Sequence, residues 1–74
     1  MQMVARSFLA SVSADDLKML HKVFNQLRVE FGFAPRSGSA QRLALDLIEE
    51  FQAGTVEENH LRTILRTALL AEVI

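Results

Sequence analysis

The segment Glu57-Glu58-Asn59-His60 contains a Glu-x-x-His spacing, which places a carboxylate and an imidazole on one face of a helix. Carboxylate-bridged dimetal bundles use this spacing and take further ligands from other helices. Glu49 and Glu50, the other nearby carboxylates, lie at the far end of the preceding predicted helix. Helix capping and solvated charge explain the same acidic residues, so we predict no metal site. His21 is interpreted as a residue at the edge of the core.

A second polar group, Arg36-Ser37-Gly38-Ser39, stands before a predicted helix, with Arg42 one turn inside that helix. Backbone N–H groups, hydroxyls and guanidiniums at a helix start could hold a phosphate or sulfate. The same pattern is typical of a plain serine cap that follows a glycine turn. We therefore regard four residues as candidates for an anion site, with a helix cap as the alternative: Arg36, Ser37, Ser39 and Arg42.

The residue inventory also bears on catalysis. There is no Cys, which excludes thiol catalysis, disulfides and cysteine-ligated metal or iron–sulfur sites. Ser, His and Asp are present, but no local motif brings them together as a nucleophile and its base. A helical chain of 74 residues also has little room for a concave pocket. We expect neither an enzyme nor a bound cofactor.

Nucleic-acid binding is the alternative function that the sequence leaves open. Two helices joined at Gly54-Thr55 fit a helix-turn-helix outline. However, the second of these helices opens with Glu57 and Glu58, which would repel phosphates, and the formal net charge is −1. The alternative is a small dimeric regulator that contacts nucleic acid through three arginines: Arg28, Arg36 and Arg42. Direct nucleic-acid binding is not the function we favour.

The elements that would position these residues are helical. Apolar side chains recur with helical spacing in three segments, at about 14–31, 40–53 and 56–72, and predict an all-α bundle. Ser13, then Ser39 or Ser37, and a Thr55–Glu58 capping box are the predicted helix starts, and Gly32 and Gly54 are the predicted ends. Residues 1–12 are predicted to form an N-terminal arm or short helix, and 13–74 a single helical domain.

The predicted core follows one apolar stripe on each helix. The first stripe is Leu17, Leu20, Phe24, Leu27 and Phe31, widened by Val23; the second is Ala40, Leu43, Ala44, Leu47, Ile48 and Phe51; the third is Leu61, Ile64, Leu65, Ala68 and Leu69.

Two stretches, Asp16-Leu-Lys-Met-Leu-His-Lys-Val-Phe24 and Ala44-Leu-Asp-Leu-Ile-Glu-Glu-Phe-Gln-Ala-Gly54, lie on either side of a glycine-containing loop. In this arrangement the chain resembles short uncharacterised helical proteins from bacteria. The resemblance covers about two-thirds of the chain and implies an all-helical fold, with no activity and no functional residue to carry over.

Half of the residues are apolar, more than three short helices can enclose. We therefore predict a non-enzymatic interaction or oligomerisation module, with a homodimer as the leading form. A compact four-helix monomer and a complex with another protein are the alternatives. The interface candidates are Phe8, Met19, Val23, Leu70 and Ile74.

The charge distribution is uneven, and it agrees with self-association. Residues 1–36 carry a net charge of +2, and residues 37–58 carry −4. Association could bring the basic and acidic regions together, although scatter over solvated helix faces is the simpler interpretation. The longest apolar run, Ala68–Ala71, is far shorter than the roughly 20 residues of a membrane span. The N-terminus lacks the apolar core of a secretory signal, so we expect a cytoplasmic protein.

Overall fold

The computed structural model describes residues 12–73, and this part of the chain contains three α-helices that all pack against one another. They are α1 (Ala14–Glu30), α2 (Gly38–Gln52) and α3 (Glu58–Val73). The predicted all-α bundle is confirmed over this range. The predicted N-terminal arm or short helix lies outside the described residues except for Val12. No helix in the described range has the length and apolar character needed to cross a bilayer.

Serine hydroxyls begin the first two helices. Ser13 Oγ accepts a hydrogen bond of 3.1 Å from the Asp16 N–H at the start of α1. Ser37 Oγ accepts one of 3.1 Å from the Ala40 N–H at the start of α2. Each satisfies a backbone donor that has no partner within the helix. Of the two serines proposed for α2, Ser37 is therefore the cap, and the helix begins two residues earlier than predicted.

Glycines in the left-handed region end the same two helices. Gly32 has φ +69° and Gly54 has φ +114°. Beyond Gly32, the Phe33 N–H donates to the Arg28 carbonyl at 2.9 Å, which closes a Schellman motif. Beyond Gly54, the Thr55 N–H donates to the Glu50 carbonyl at 3.1 Å in the same pattern. Each motif satisfies carbonyls at a helix end and turns the chain sharply.

The predicted Thr55–Glu58 capping box is wrong. Thr55 belongs to the motif that ends α2, and its hydroxyl donates to Glu50 Oε2 at 3.0 Å. It therefore lies too early to cap α3, which begins at Glu58 rather than near residue 56. Glu57 takes the capping role instead, because its Oε1 accepts a 2.7 Å hydrogen bond from the His60 N–H.

The buried core is built almost wholly from leucine. Phenylalanine and other apolar side chains surround it in half-buried positions. The buried members are Leu20, Val23 and Leu27 of α1, Ala40, Leu43 and Leu47 of α2, and Leu61, Leu65 and Leu69 of α3. No polar or charged side chain in the described range is buried with them. The hydrophobic effect therefore supplies the packing without polar bonds inside the core.

The stripe predicted for α1 is partly wrong. Val23 is fully buried, whereas Leu17 is 42% exposed and Phe24 is only half-buried. The reason is that α1 has two neighbours. Its buried arc turns toward Val23 in order to face both α2 and α3, and this rotation carries Leu17 and Phe24 outward along the α2 side. Val23 therefore cannot be an interface residue.

A candidate interaction groove between the first two helices

The face that joins α1 to α3 is sealed by a ladder of polar side chains. Lys22 Nζ lies 3.1 Å from Glu58 Oε2, and Arg62 Nε donates to Gln26 Oε1 at 2.9 Å. The third rung joins Arg66 to Glu30, with Arg66 Nη2 lying 2.8 Å from Glu30 Oε1. Each rung joins residues 36 positions apart, so α1 and α3 run parallel. Because α2 lies between them in the chain and is joined to each by a short loop, it runs in the opposite direction. This ladder occupies one flank of α1.

The ladder also fixes the charge state of its acids. The hydrogen bond from Lys22 lowers the pKa of Glu58, and the Arg62 guanidinium bonded to the same carboxylate lowers it further. The hydrogen bond from Arg66 lowers the pKa of Glu30 in the same way. Glu58 and Arg62 are four residues apart on α3, so this second ion pair lies within one helix. These carboxylates are therefore held as anions for structural pairing.

The predicted Glu-x-x-His residues serve the helix start. Glu57 accepts from the His60 backbone rather than pointing at the imidazole. Glu58 is occupied by Lys22 and Arg62. Within residues 12–73, no group of three or more His, Asp or Glu side chains has the geometry to hold a metal ion.

The four anion-site candidates gather at the start of α2 but make contacts within the chain. Ser37 Oγ accepts from the Ala40 N–H and donates to the Ala34 carbonyl at 2.9 Å. Arg42 Nε lies 3.6 Å from Asp46 Oδ1, one turn along the helix. Arg36 and Ser39 are exposed. The arrangement fits a serine cap, and nothing else at this position indicates an anion ligand.

Two of the three arginines that were proposed to contact nucleic acid bind other groups of this chain. Arg28 is half-buried and donates to the Phe33 carbonyl at 3.1 Å, which holds the loop after α1. Arg42 has its partner on α2. Of the three, only Arg36 has no contact of this kind among the described residues.

The predicted interface residues fall in different environments. Met19 is half-buried against the core, and Leu70 is 52% exposed on the outer face of α3. Val23 is enclosed in the core, as described above. Phe8 and Ile74 lie outside the described residues.

An apolar groove runs between α1 and α2. Its volume is about 530 Å³, and it is open to solvent. The described side chains that line it are Leu17, Lys18, Leu20, His21 and Phe24 of α1, and Ala44, Leu47 and Ile48 of α2. No described residue of α3 contributes, because α3 packs on the opposite side of the α1–α2 pair. The groove is the position that a further helix would fill in a four-helix arrangement.

The edges of the groove extend its apolar surface. Leu17, which lines the α1 side, is 42% exposed, and Leu45 is 60% exposed on α2, three residues before the lining residue Ile48 and therefore on a neighbouring part of the helix surface. Lys18 and His21 are the polar residues in the lining. Sequence periodicity assigned Leu17, Phe24, Ala44 and Ile48 to the core. The width of the two predicted stripes was the sequence feature that indicated an apolar surface which three helices do not cover.

Comparisons of this chain with protein-family models, with curated proteins and with solved structures find no match.

Proposed function

We propose that this chain is a non-enzymatic helical module that self-associates, and that a second copy covers the groove between α1 and α2. The observation that carries the proposal is the groove itself, whose apolar lining includes the partly exposed Leu17, with the exposed Leu45 three residues before the lining residue Ile48. Removing such a surface from water is favourable in proportion to its apolar area. An apolar patch of this kind on a small domain marks an interaction site.

A second copy is the occupant for which the chain provides complementary chemistry. A two-fold dimer uses the same patch on both subunits, so a groove lined by leucine, isoleucine and phenylalanine meets an equally apolar surface. The net charge is +2 over residues 1–36 and −4 over residues 37–58; within the helices, α1 contains three basic and three acidic residues, and α2 contains one basic and three acidic residues. Two copies can therefore place unlike charges around the shared apolar centre.

The polar groups that suggested chemistry support a structural role. Glu57 and Ser37 cap helices, and Glu30 and Glu58 form the ladder between α1 and α3. The described groove lining offers one ammonium and one imidazole at its edge, with apolar side chains elsewhere. This lining favours packing against another helix over proton transfer or nucleophilic attack.

Light scattering across a dilution series tests the proposal. The wild-type chain is expected to change from dimer to monomer as the concentration falls. Leu17→Glu and Leu45→Glu are expected to shift this transition to higher concentration, because each places a charge in the apolar contact. Val29→Glu is the matched control, since Val29 is 65% exposed on α1 away from the groove.

Leu70→Glu separates this groove from the other exposed surface that the sequence suggested. It is expected to leave the transition unchanged, because Leu70 lies on the outer face of α3. Circular dichroism of each variant shows that the helices are retained. A wild-type chain that is monomeric at every concentration contradicts the proposal, and so does dissociation by Leu70→Glu with no effect of Leu17→Glu or Leu45→Glu.

A further inference from the structure

The two edges of the groove carry opposite charges. Lys18 lines the α1 edge and is exposed. Glu49 follows the lining residue Ile48 on α2, outside the lining itself and one turn after the exposed Leu45, and is exposed as well. Within residues 12–73, neither side chain takes part in an ion pair. The ammonium and the carboxylate are thus available on either side of an apolar centre.

The antiparallel pairing of α1 and α2 places these two charges at the same end of the groove. Lys18 lies in the second turn of α1, and Glu49 lies in the last turn of α2. The start of one antiparallel helix lies beside the end of the other. The lining agrees, since Leu17–Phe24 of α1 faces Ala44–Ile48 of α2.

Two grooves can meet face to face about a two-fold axis in two ways. An axis parallel to the helices places α1 of each copy over α2 of the other and keeps the ends of the groove aligned. Lys18 then lies over the partner's Glu49, and the contact occurs twice. An axis across the helices places α1 over the partner's α1 and reverses the ends of the groove. The two lysines then lie at opposite ends of one edge, and the two glutamates lie at opposite ends of the other.

We infer that the dimer uses the axis parallel to the helices, with Lys18 of each copy paired to Glu49 of the other. This inference rests on the proposed self-association. The apolar groove supplies the affinity, and the two charge pairs select the orientation, because the alternative orientation forms neither pair. The pairs also disfavour partners that lack an acidic group at this end of the second helix.

Charge reversal gives a direct test by sedimentation equilibrium at low salt. Lys18→Glu and Glu49→Lys each replace two attractions by two repulsions, and each is expected to raise the dimer Kd by about 5- to 30-fold. The double variant K18E/E49K restores two unlike pairs and is expected to return to within about threefold of the wild type. In the other orientation, Lys18 and Glu49 do not face each other, so the single reversals are expected to leave the Kd close to that of the wild type.

Arg36→Glu and Glu72→Lys are the matched controls. They make the same two charge changes at exposed positions away from the groove, and are expected to leave the Kd within about twofold of wild type. Single reversals with no effect, or a double variant that is weaker than both single variants, overturn the inferred orientation and leave a dimer in place. A monomeric wild-type chain overturns the proposed function itself.

Cross-linking tests the same orientation without relying on electrostatics. The chain contains no Cys, so K18C and E49C each introduce a single thiol. After mild oxidation, a mixture of the two variants is expected to form the cross-linked dimer, while each variant alone forms little. Efficient cross-linking of K18C with itself, or of E49C with itself, overturns the inference, because disulfides require Cα atoms within about 7 Å.

Discussion

Arg66 on α3 binds Glu30 on α1 through two hydrogen bonds, from Nε at 2.9 Å and from Nη2 at 2.8 Å. A guanidinium and a carboxylate paired in this way fix the direction between two helices more closely than a single contact does. With Gln26–Arg62 one turn earlier, the pair sets the parallel alignment of α1 and α3. The α1–α3 flank is thereby closed by polar side chains, while the α1–α2 flank stays apolar and open.

The ladder predicts how stability depends on acid. The pKa of Glu30 and that of Glu58 are lowered below 4.5 in the folded chain by the bonds from Arg66 and from Lys22. A depressed carboxyl pKa contributes stability above the unfolded value, and this contribution is lost as the pH falls through the folded value. The thermal midpoint is therefore expected to fall as the pH drops below about 4.5, measured by circular dichroism.

The double variant E30Q/E58Q provides the comparison. It is expected to have a lower midpoint than wild type at neutral pH and a shallower fall in acid, because neither amide titrates. Glu72→Gln is the control, since Glu72 is exposed near the end of α3 and makes no ion pair with the described residues. Parallel pH curves for wild type and the double variant would mean that the ladder does not stabilise the fold.

The backbone conformations of the three glycines predict how replacement by alanine changes the free energy of unfolding. Gly32→Ala and Gly54→Ala are each expected to lower the free energy of unfolding by about 1–2 kcal/mol, because φ is positive at both positions. Gly38→Ala is the control, since Gly38 begins α2 and an added Cβ meets nothing within 4 Å. It is expected to raise stability by up to about 1 kcal/mol. Urea unfolding measures all three, and equal losses at all three positions would contradict the assigned helix ends.

Local sequence patterns predicted most of the helix boundaries. Ser13 and Ser37 carry hydroxyls where a helix start needs an acceptor, and Gly32 stands where the chain needs a left-handed residue. These requirements act over a few residues, so the sequence is sufficient to predict them. The predicted capping box at Thr55 was wrong because two local sequence patterns overlap at this residue. It fits both the motif that ends α2 and a capping box for α3, and the motif that ends α2 takes it.

The groove could be anticipated only in part. Helical spacing correctly identified the apolar residues of α1, but it assigned Leu17 to the core and treated Val23 as a widening of the stripe. The distinction depends on which flank of α1 meets α3, and this is set by contacts 36 residues apart in sequence, such as Gln26–Arg62. Periodicity within one helix carries no information about that choice.

The rotation of α1 predicts unequal costs for two similar substitutions. Leu27→Ala is expected to lower the free energy of unfolding by about 2–5 kcal/mol, because Leu27 is fully buried. Leu17→Ala is expected to lower it by less than about 1 kcal/mol, because that side chain is 42% exposed. Urea unfolding at low protein concentration keeps dimerisation out of the comparison. Similar losses at the two positions would show that the groove is closed in the monomer.

The hydrogen bond at the start of α3 predicts the hydrogen exchange rate of one backbone amide, that of His60. The His60 N–H donates to Glu57 Oε1, so Glu57→Ala is expected to increase the hydrogen exchange rate of that amide, measured by NMR. Thr55→Val is expected to leave the His60 amide unchanged, because the Thr55 hydroxyl donates to Glu50 at the end of α2. Glu57→Gln retains a side-chain acceptor and is expected to preserve most of the protection. Faster exchange in T55V than in E57A would instead assign the cap of α3 to Thr55.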